Sequence, residues 1–378
     1  MIADALRQEV SDFLEREPKN DLPFELEPRF KSLVAAQARL HRAGLATVSW
    51  PSRFGGRDYS PGDAAEVALA LGRGRAPETI NFVALEVVAP GLIAHASEAQ
   101  LLDWLPPMAS ADQVWCQLFS EPDSGSDLAS LRTRATKNGR SWQIDGQKTW
   151  CTWGQFADRG LLLARTGTPE SRHRGLSAFV IDMHSPGVEV RPLRTMTGIA
   201  EFSEVFFGGV EIPQDQMVGE KDGGWKVATV MLSAERGTYA VRRAAVVLGA
   251  LSELVAMARE QGVPTREARR LLVSAFIAMK LLERRIGVVV ESIANGIPMG
   301  FDAAVTKLML TNTEQAVFAA CLEYLGLGGL AWTGREHRWI ESYLYSRAAS
   351  IYGGTSQIQR NIIGEKLLGL PREPVEIR

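Results

Sequence analysis

The chain has 378 residues, of which 46% are hydrophobic and 23% charged, and its formal net charge is −2. This length suggests two or three packed units rather than one hydrophobic core. The charged residues form no basic stripe and no basic tail, so the composition gives no support to a nucleic-acid partner.

Residues 1–112 are predicted to form an N-terminal α-helical domain. The first 18 residues are acidic and periodic, unlike a signal peptide, and Leu6, Val10 and Phe13 fall on one helical face. A Pro/Gly-rich turn follows at residues 50–56. Ser60-Pro61-Gly62-Asp63 then opens an apolar helix that is expected to run through Leu71.

Residues 113–219 change to a period of two, which is typical of strands. Asn138-Gly139 and Asp145-Gly146 are turn signals flanked by strand-like segments. Further strands are predicted at residues 161–165, 176–181, 188–192 and 204–207. The pattern favours a central antiparallel β-barrel.

The helical period returns in residues 220–378, so the fold class is predicted as α+β with several domains. One long helix carries an apolar stripe, made of Leu272, Phe276, Met279, Leu282, Ile286, Val290 and Ile293. Further helices are expected at residues 303–325, 340–349 and 356–368. Long helices of this kind usually pack into a bundle.

The cysteines give no support to a metal site, and the apolar runs give no support to a membrane-spanning segment. Cys116, Cys151 and Cys321 are far apart and form no CxxC or Cys/His cluster, so no metal site is expected. Each lies among apolar residues and is predicted to be core in a reducing, cytoplasmic compartment. The longest apolar run, residues 244–258, is broken by Glu253 and is too short to span a membrane.

Three motifs are candidates for ligand binding. Residues 120–127, Ser-Glu-Pro-Asp-Ser-Gly-Ser-Asp, predict a tight loop whose amides and hydroxyls could hold an anion such as pyrophosphate. In residues 146–154, Trp150 and Thr152 point to one face of a strand and could meet a flat, hydrogen-bonding ring system. The alternatives are a solvated connection and a core tryptophan beside a surface threonine.

The third motif is Ile-Tyr-Gly-Gly-Thr-Ser-Gln-Ile-Gln-Arg at residues 351–360. Two glycines let a ligand approach the backbone closely, and the helix N-terminus that follows favours negative charge. A plain helix–helix turn is the alternative, although such a turn needs only one glycine.

In this order and with Leu-Ser-Ala-Glu-Arg at residues 232–236 between them, the motifs resemble the acyl-CoA dehydrogenase family. The Trp-Pro…Phe-Gly-Gly turn at residues 50–56 and Val-Glu-Ile-Pro at 210–213 extend the resemblance over nearly the whole chain. It implies a helical domain, a β-barrel and a four-helix bundle. It also implies FAD bound without a Rossmann motif, and Gly-Leu-Gly-Gly at residues 326–329 is set aside because it follows a helix.

The resemblance also implies roles for single residues. Ser120 would hydrogen-bond the flavin ring, Trp150 and Thr152 would lie against its edge, and Ser126 would lie near the flavin pyrophosphate and the phosphopantetheine arm. The implied cofactor-binding set is Gln117, Phe119, Ser120, Gly125, Ser126, Trp150, Thr152, Gly354, Thr355 and Gln357. The implied substrate-binding set is Ser126, Ser233, Arg236 and Tyr352.

The catalytic base is the first departure from the family pattern. Many members carry a glutamate directly after the tyrosine of the last motif, but this position is Gly353 here. A smaller group of relatives carries the base in the middle segment, where this chain has Glu235. Glu235 is therefore the expected base, with the Gly353 N–H on the thioester carbonyl; a surface glutamate is the alternative.

A second departure concerns the partner subunit. The family's Arg-x-x-Phe-Gly signature has dissolved at residues 258–264, and Glu323 stands where a glutamine often contacts a neighbour's flavin. Bacterial relatives that act on steroid side-chain CoA thioesters form α₂β₂ heterotetramers, so a heteromer with a related subunit or a homo-oligomer is expected. Electron-transfer flavoprotein is the expected acceptor. An oxidase, a carrier-protein acyl dehydrogenase and a flavin-poor, non-catalytic subunit remain alternatives.

Overall fold

The computed structural model describes residues 4–17, 22–235, 237–326 and 337–372, with the backbone alone for Glu235. The chain divides into two compact units. The first unit comprises Met1–Glu17, Pro61–Ala76 and Glu235–Arg378, and the second comprises Pro18–Ser60 and Pro77–Ala234. The three domains predicted at residues 1–112, 113–219 and 220–378 have different boundaries from these two compact units and stay a prediction.

The second unit contains one eight-stranded sheet in the order β6-β7-β3-β2-β4-β5-β8, with β1 paired to β4. The strands are β1 Trp115–Leu118, β2 Arg134–Asn138, β3 Ser141–Thr152, β4 Arg159–Arg165, β5 Leu176–Asp182, β6 Val188–Leu193, β7 Phe202–Pro213 and β8 Met217–Val218. The four strands predicted at residues 161–165, 176–181, 188–192 and 204–207 are confirmed.

The predicted antiparallel barrel is wrong in two respects. The sheet is open, because β6 and β8 lie at its ends and do not pair with each other. The sheet is also mixed, because β1 and β2 both run parallel to β4. Alternation along a strand indicates which face is buried, but it carries no information about the direction of the neighbouring strand.

The two predicted turn signals have different outcomes. Asn138 pairs with Ser141 across a two-residue turn in which Gly139 has a φ of +56°, as expected. Asp145-Gly146 is no turn but lies inside β3, where the pairing register with β7 shifts. The Asp145 carboxylate accepts a hydrogen bond from the Gly209 N–H at 2.8 Å, which satisfies the backbone at this irregularity.

A buried amide network fixes where β1 begins. Asn81 is fully buried and accepts a hydrogen bond from the Trp115 N–H at 2.9 Å. Its side chain donates to the carbonyls of Met108 (3.0 Å) and Gln113 (2.8 Å), and Gln37 accepts from its backbone N–H at 2.9 Å. Since such groups are costly to leave unpaired, the network ties two helices of this unit, α2 Leu26–Arg42 and α5 Glu98–Ser110, to the first strand. The unit also contains α4 Ala89–His95.

The first unit is helical. It comprises α1 Asp4–Arg16, α3 Pro61–Arg73, α7 Thr238–Gln261, α8 Arg266–Ala294, α9 Ala303–Leu325, α10 His337–Ser346 and α11 Ser356–Ile362. Helices α7, α8 and α9 pack against one another, and α3 packs against α7 and α8. The helix expected at residues 303–325 is confirmed. The helix expected at residues 356–368 is also confirmed, because α11 continues after Ile362 as a π-helical turn that ends at Leu367.

One residue of the predicted α8 stripe is misplaced. Phe276 is 45% exposed, because the buried stripe runs through Ala275, Met279, Leu282 and Ile286 and leaves Phe276 about 100° around the helix. A second row of large apolar side chains is exposed and is called here the outer face of α8. It consists of Val273, Phe276, Ile277, Leu281 and Val288.

The cysteines lie in the core, as predicted. All three are buried and free. Burial raises the pKa of Cys151 to about 12, which keeps it protonated and unreactive at neutral pH. Within the described ranges, the structure contains no helix of the length and apolarity needed to cross a bilayer.

Candidate functional site

The candidate site is built around the loop between β1 and β2, residues 119–133, called here the serine loop. Its first residues are fastened to β3 by side-chain and backbone contacts. The ammonium group of Lys148 donates to the Phe119 carbonyl at 3.0 Å and to the Glu121 carboxylate at 2.8 Å. The Thr149 N–H donates to the Ser120 carbonyl at 2.9 Å. These contacts hold the ends of β1 and β3 side by side.

The Glu121 carboxylate also closes the serine loop at its far end. It accepts hydrogen bonds from the N–H groups of Arg132 (2.6 Å) and Thr133 (2.8 Å). Burial raises the pKa of Glu121, but Lys148 and these donors outweigh that effect and lower it from its ordinary value. Burial lowers the pKa of Lys148, which is 0% exposed. The loop therefore depends on a buried ion pair.

The tip of the serine loop carries the predicted ligand-binding residues. Glu121 and Ser124 exchange two backbone hydrogen bonds, and the hydroxyls of Ser124 and Ser130 are 2.9 Å apart. Gly125 and Ser126 are exposed. A Cβ atom added at Gly125 would meet nothing within 4 Å, so the chain's own packing does not require a glycine there. The space fits close approach of a ligand to the backbone.

Trp150 has the most unusual conformation in the candidate site. Two residues of β3, Thr149 and Trp150, lie opposite the single residue Glu204 of β7, so β3 has a β-bulge here. Trp150 has a φ of +60°, in the left-handed region that a bulky side chain normally avoids. Its ring is 60% exposed and touches Phe202 edge-on, with centroids 6.0 Å apart. The strain presents a large flat ring at the surface.

The other predicted residues of this unit lie on the same two strands. Cys151 is buried between exposed Trp150 and half-buried Thr152. Gln117 is half-buried on β1, and Phe119 is buried directly after it. The hydrogen bonds from Lys148 and Thr149 place Phe119 and Ser120 beside the segment of β3 that carries Trp150.

The first unit holds the predicted residues 352–357 in a separate turn. Gly353 and Gly354 have φ values of +63° and +84°, so both glycines are needed for the backbone itself. The buried Gln359 amide donates to their carbonyls at 2.9 and 3.3 Å. The Thr355 hydroxyl accepts from the Ile358 N–H at 3.2 Å and begins α11, while Gln357 is exposed.

Buried charges support this turn. The Lys307 ammonium lies 5.1 Å from the centre of the Tyr352 ring and donates to the Ala349 carbonyl. Arg243 donates to both carboxylate oxygens of Glu314, and the shorter of the two hydrogen bonds is 2.6 Å. Although burial opposes it, Glu314 raises the pKa of Arg243 well above its usual value, so the guanidinium stays charged.

The middle-segment candidates lie at the end of α6, Gly224–Glu235. Glu235 is the last residue of this helix. Ser233 is exposed and its hydroxyl donates to the Thr229 carbonyl of the same helix at 2.9 Å. Arg236 lies outside the described residues, as do residues 327–329 of the glycine run.

Sequence reasoning missed Glu121, Lys148 and Arg165. Glu121 and Lys148 both fall inside the predicted motifs, at residues 120–127 and 146–154. Lys148 is a charged residue in a strand-forming segment with the apolar residues Trp150 and Cys151 shortly after it, and Arg165 ends the apolar run at residues 160–164. A lone charge in an apolar strand is the signal that points to a buried, paired group.

Three domain profiles of one family match the chain. They are the N-terminal domain of acyl-CoA dehydrogenase over residues 3–112, the middle domain over 116–210 and the C-terminal domain over 222–368. The chain therefore belongs to the acyl-CoA dehydrogenase family, whose members are oxidoreductases and FAD flavoproteins.

Individual relatives agree with this assignment. Acyl-CoA dehydrogenase IpdE1 of Mycobacterium tuberculosis is 36% identical over 346 residues, which cover 91% of this chain and 89% of the relative. A variant of the Tcur3481-Tcur3483 steroid ACAD is 26% identical, with a TM-score of 0.85 and 98% of each chain covered. The ChsE4-ChsE5 complex from Mycobacterium tuberculosis, at 24% identity, TM-score 0.81 and 99% of each chain, shows the fold.

Replacing Lys148 tests the buried ion pair. Lys148→Met leaves the Glu121 carboxylate buried without its cation and is expected to cost about 3–5 kcal/mol at neutral pH. Because the pKa of Glu121 is lowered in the folded protein, its ionised carboxylate stabilises the wild type at any pH above the ordinary glutamate pKa. This stabilisation is lost as the pH falls through the lowered pKa. In the variant a protonated Glu121 needs no cation, so the stability difference shrinks in acid.

Urea unfolding of both proteins at neutral and acidic pH measures this difference. Lys280→Met, which removes an exposed lysine paired with Glu283, is the matched control and should change little. A stability loss for Lys148→Met that is the same at every pH would contradict the role given to Glu121.

Replacing Trp150 separates strain from binding. Trp150→Gly relieves the left-handed conformation, so stability should stay within about 1 kcal/mol of the wild type. Loss of the exposed ring should weaken FAD binding about tenfold, as measured by release of flavin fluorescence. Trp150→Phe, which keeps a ring at the bulge, should retain most of the affinity. Unchanged FAD affinity in the glycine variant would remove Trp150 from the site.

Proposed function

We propose that the protein catalyses FAD-dependent α,β-dehydrogenation of an acyl-CoA thioester to the trans-2-enoyl-CoA. The observation that carries the proposal is the strained, exposed Trp150 beside the serine loop. No packing requirement accounts for a bulky residue at a φ of +60°, whereas a ring held against the edge of a flat cofactor does. The family membership supplies the reaction class.

The residues fit FAD in two groups. Gln117, Phe119, Ser120, Trp150 and Thr152 would hold the ring, and Gly125 and Ser126 would face the pyrophosphate. Open space beside Gly125 and the pinned ends of the serine loop support this placement.

The nucleotide half of FAD would contact Gly354, Thr355 and Gln357. This placement rests on the left-handed turn, whose carbonyls are already fixed by Gln359. When bound, FAD supplies the hydride acceptor for the substrate β-carbon.

Glu235 is the proposed base for the α-proton. The usual position after Tyr352 is Gly353, whose φ of +63° suits glycine and disfavours a glutamate by about 1 kcal/mol. The Gly353 N–H is left to polarise the thioester carbonyl, which stabilises the developing enolate. Ser126, Ser233, Arg236 and Tyr352 would place the acyl-CoA.

The proposed substrate class is a CoA thioester of a steroid side chain. The support is the 26% identity to a solved protein described as a steroid ACAD, together with coverage of 98% of both chains. The proposed electron acceptor is electron-transfer flavoprotein. A cytoplasmic location is part of the proposal because the three cysteines are free thiols.

The proposed assembly is a heteromer with a related subunit. The outer face of α8 presents five large apolar side chains, each 45–57% exposed, and such patches mark protein contacts. The family signature at residues 258–264 is absent: α7 ends at Gln261, and Gly262 follows with a φ of +80°. A different subunit that supplies those contacts would complete the site.

Changing Glu235 tests the mechanism. Glu235→Gln is expected to keep its flavin and lose turnover by a factor of about one hundred or more, because the amide cannot take the α-proton. Anaerobic reduction by acyl-CoA measures the step directly. Glu260→Gln, an exposed glutamate at the end of α7, is the control. Turnover unchanged by Glu235→Gln would exclude this residue as the base and favour another role for the subunit.

The assembly is tested by molecular mass and flavin content. Expressed alone, the chain is expected to lack full flavin occupancy, and co-expression with a homologous subunit should restore it. Ile277→Lys on the outer face of α8 should reduce the mass of the complex, whereas Leu102→Lys, which is 50% exposed in the other unit, should not. A lone chain that forms a stable, fully flavinylated homotetramer would refute the heteromer.

A further inference from the structure

Arg165 makes an unusual set of contacts at the end of β4. It is only 4% exposed, yet its charged group binds four backbone carbonyls. Two belong to the serine loop: Nε donates to Leu131 at 2.9 Å and Nη2 to Ala129 at 2.8 Å. The other two belong to the connection from β4 to β5, where Nη1 donates to Thr168 at 3.2 Å and to Arg172 at 3.0 Å.

The β4–β5 connection, residues 166–175, is called here the return loop. It is pinched at its base, because the N–H groups of Thr166 and Gly167 both donate to the Gly175 carbonyl, at 2.9 and 3.0 Å. A Cβ atom on Gly167 would lie 2.8 Å from the Gly175 Cα. The loop is therefore narrow, and Arg165 enters it beside this closure.

Arg172 links the same two loops a second time. Its φ of +47° and ψ of −125° are a conformation that L-residues rarely adopt, and its carbonyl is one of those held by Arg165. Its side chain forms an ion pair at 2.5 Å with Asp127, the residue that follows Ser126 in the chain. This pair is more than half exposed and is weak by itself, so the buried arginine provides the firmer connection.

A lysine could not reproduce these contacts. The guanidinium is planar and presents donors in several fixed directions, whereas an ammonium is a single point of charge. Among the described residues, no carboxylate forms an ion pair with Arg165 within 4 Å, so its partners are neutral carbonyls of the two loops. The side chain is built to hold backbone in place.

We propose that Arg165 is a positioning residue that sets the spacing between the serine loop and the return loop, and thereby holds Ser126 in place for its ligands. The inference rests on the proposed function of Ser126 at the flavin pyrophosphate and the phosphopantetheine arm. Without Arg165, both loops lose their shared anchor at once. Ligand affinity then falls, while the reacting groups on β3 and α6 are unaltered.

The experiment compares Arg165→Ala and Arg165→Lys with the wild type, each expressed with whatever subunit the wild type needs to hold flavin. Limited trypsin digestion is followed at Arg132 in the serine loop and at Arg172 and Arg174 in the return loop. FAD release, kcat and KM for acyl-CoA are measured on the same samples. Each is repeated with low-millimolar guanidinium chloride and with methylammonium chloride as the non-planar control cation.

Arg165→Ala is expected to speed cleavage in both loops together. FAD release and KM should rise on the order of tenfold, with kcat per bound flavin nearly unchanged. Guanidinium should reverse these effects in the alanine variant and methylammonium should not. The lysine variant should resemble the alanine variant. Arg191→Ala, which removes an exposed arginine paired with Glu189, is the matched control and should behave as wild type.

Two results would overturn the proposal. Faster cleavage in one loop alone would show that Arg165 does not couple them. A loss of flavin that follows a general drop in thermal stability, and that guanidinium does not reverse, would show a merely structural role. Failure of the proposed function is a separate result, since a wild-type complex that no acyl-CoA reduces would be seen before any variant is compared.

Discussion

The candidate flavin face depends on the buried ion pair between Glu121 and Lys148. The Lys148 ammonium is fully buried, and two of its contacts go to residues at the start of the serine loop. At the loop's far end, Oε2 of Glu121 accepts from the Arg132 N–H. Oε1, which binds Lys148, also accepts from the Thr133 N–H. One pair therefore closes the loop and joins it to β3, so the ends of β1 and β3 present their side chains together. A buried pair is costly to break by removing one partner, which suits a site that must hold its shape before a ligand arrives.

Strain and support are distributed unevenly over the site. Trp150 and Arg172 both adopt backbone conformations that their side chains disfavour, and both lie next to groups that fasten the serine loop. Gly353 and Gly354 adopt left-handed conformations without strain, because they lack a Cβ. The loss of a glutamate at position 353 is thus consistent with the local backbone.

Much of the fold could be predicted from the sequence, because the burial period is a local property. The strand β5 and the helix α9 follow directly from apolar spacing and length. Strand direction and sheet closure could not be predicted, since β1 pairs in parallel with a strand more than forty residues away. The turn expected at Asp145-Gly146 is wrong for a related reason. The Asp145 carboxylate accepts a hydrogen bond from Gly209 at a bulge in β7, and this contact between distant residues cannot be predicted from the Asp-Gly pair. Phe276 was misplaced because α8 is apolar on two faces.

The site residues divide along the same line. The positions that a motif names, such as Ser126 and Trp150, could be chosen from their chemistry and from the family resemblance. Lys148 and Arg165 could not be chosen in this way, because they act through contacts to backbone carbonyls far along the chain, and no sequence pattern specifies those.

The proposed function is tested most directly by the visible absorption spectrum of the purified protein, alone and co-expressed with a homologous subunit, during anaerobic titration with acyl-CoA thioesters. We expect a flavin spectrum in the complex that bleaches with a steroid side-chain thioester. A fully flavinylated protein whose spectrum no acyl-CoA changes, or a protein that stays colourless in both preparations, would contradict it.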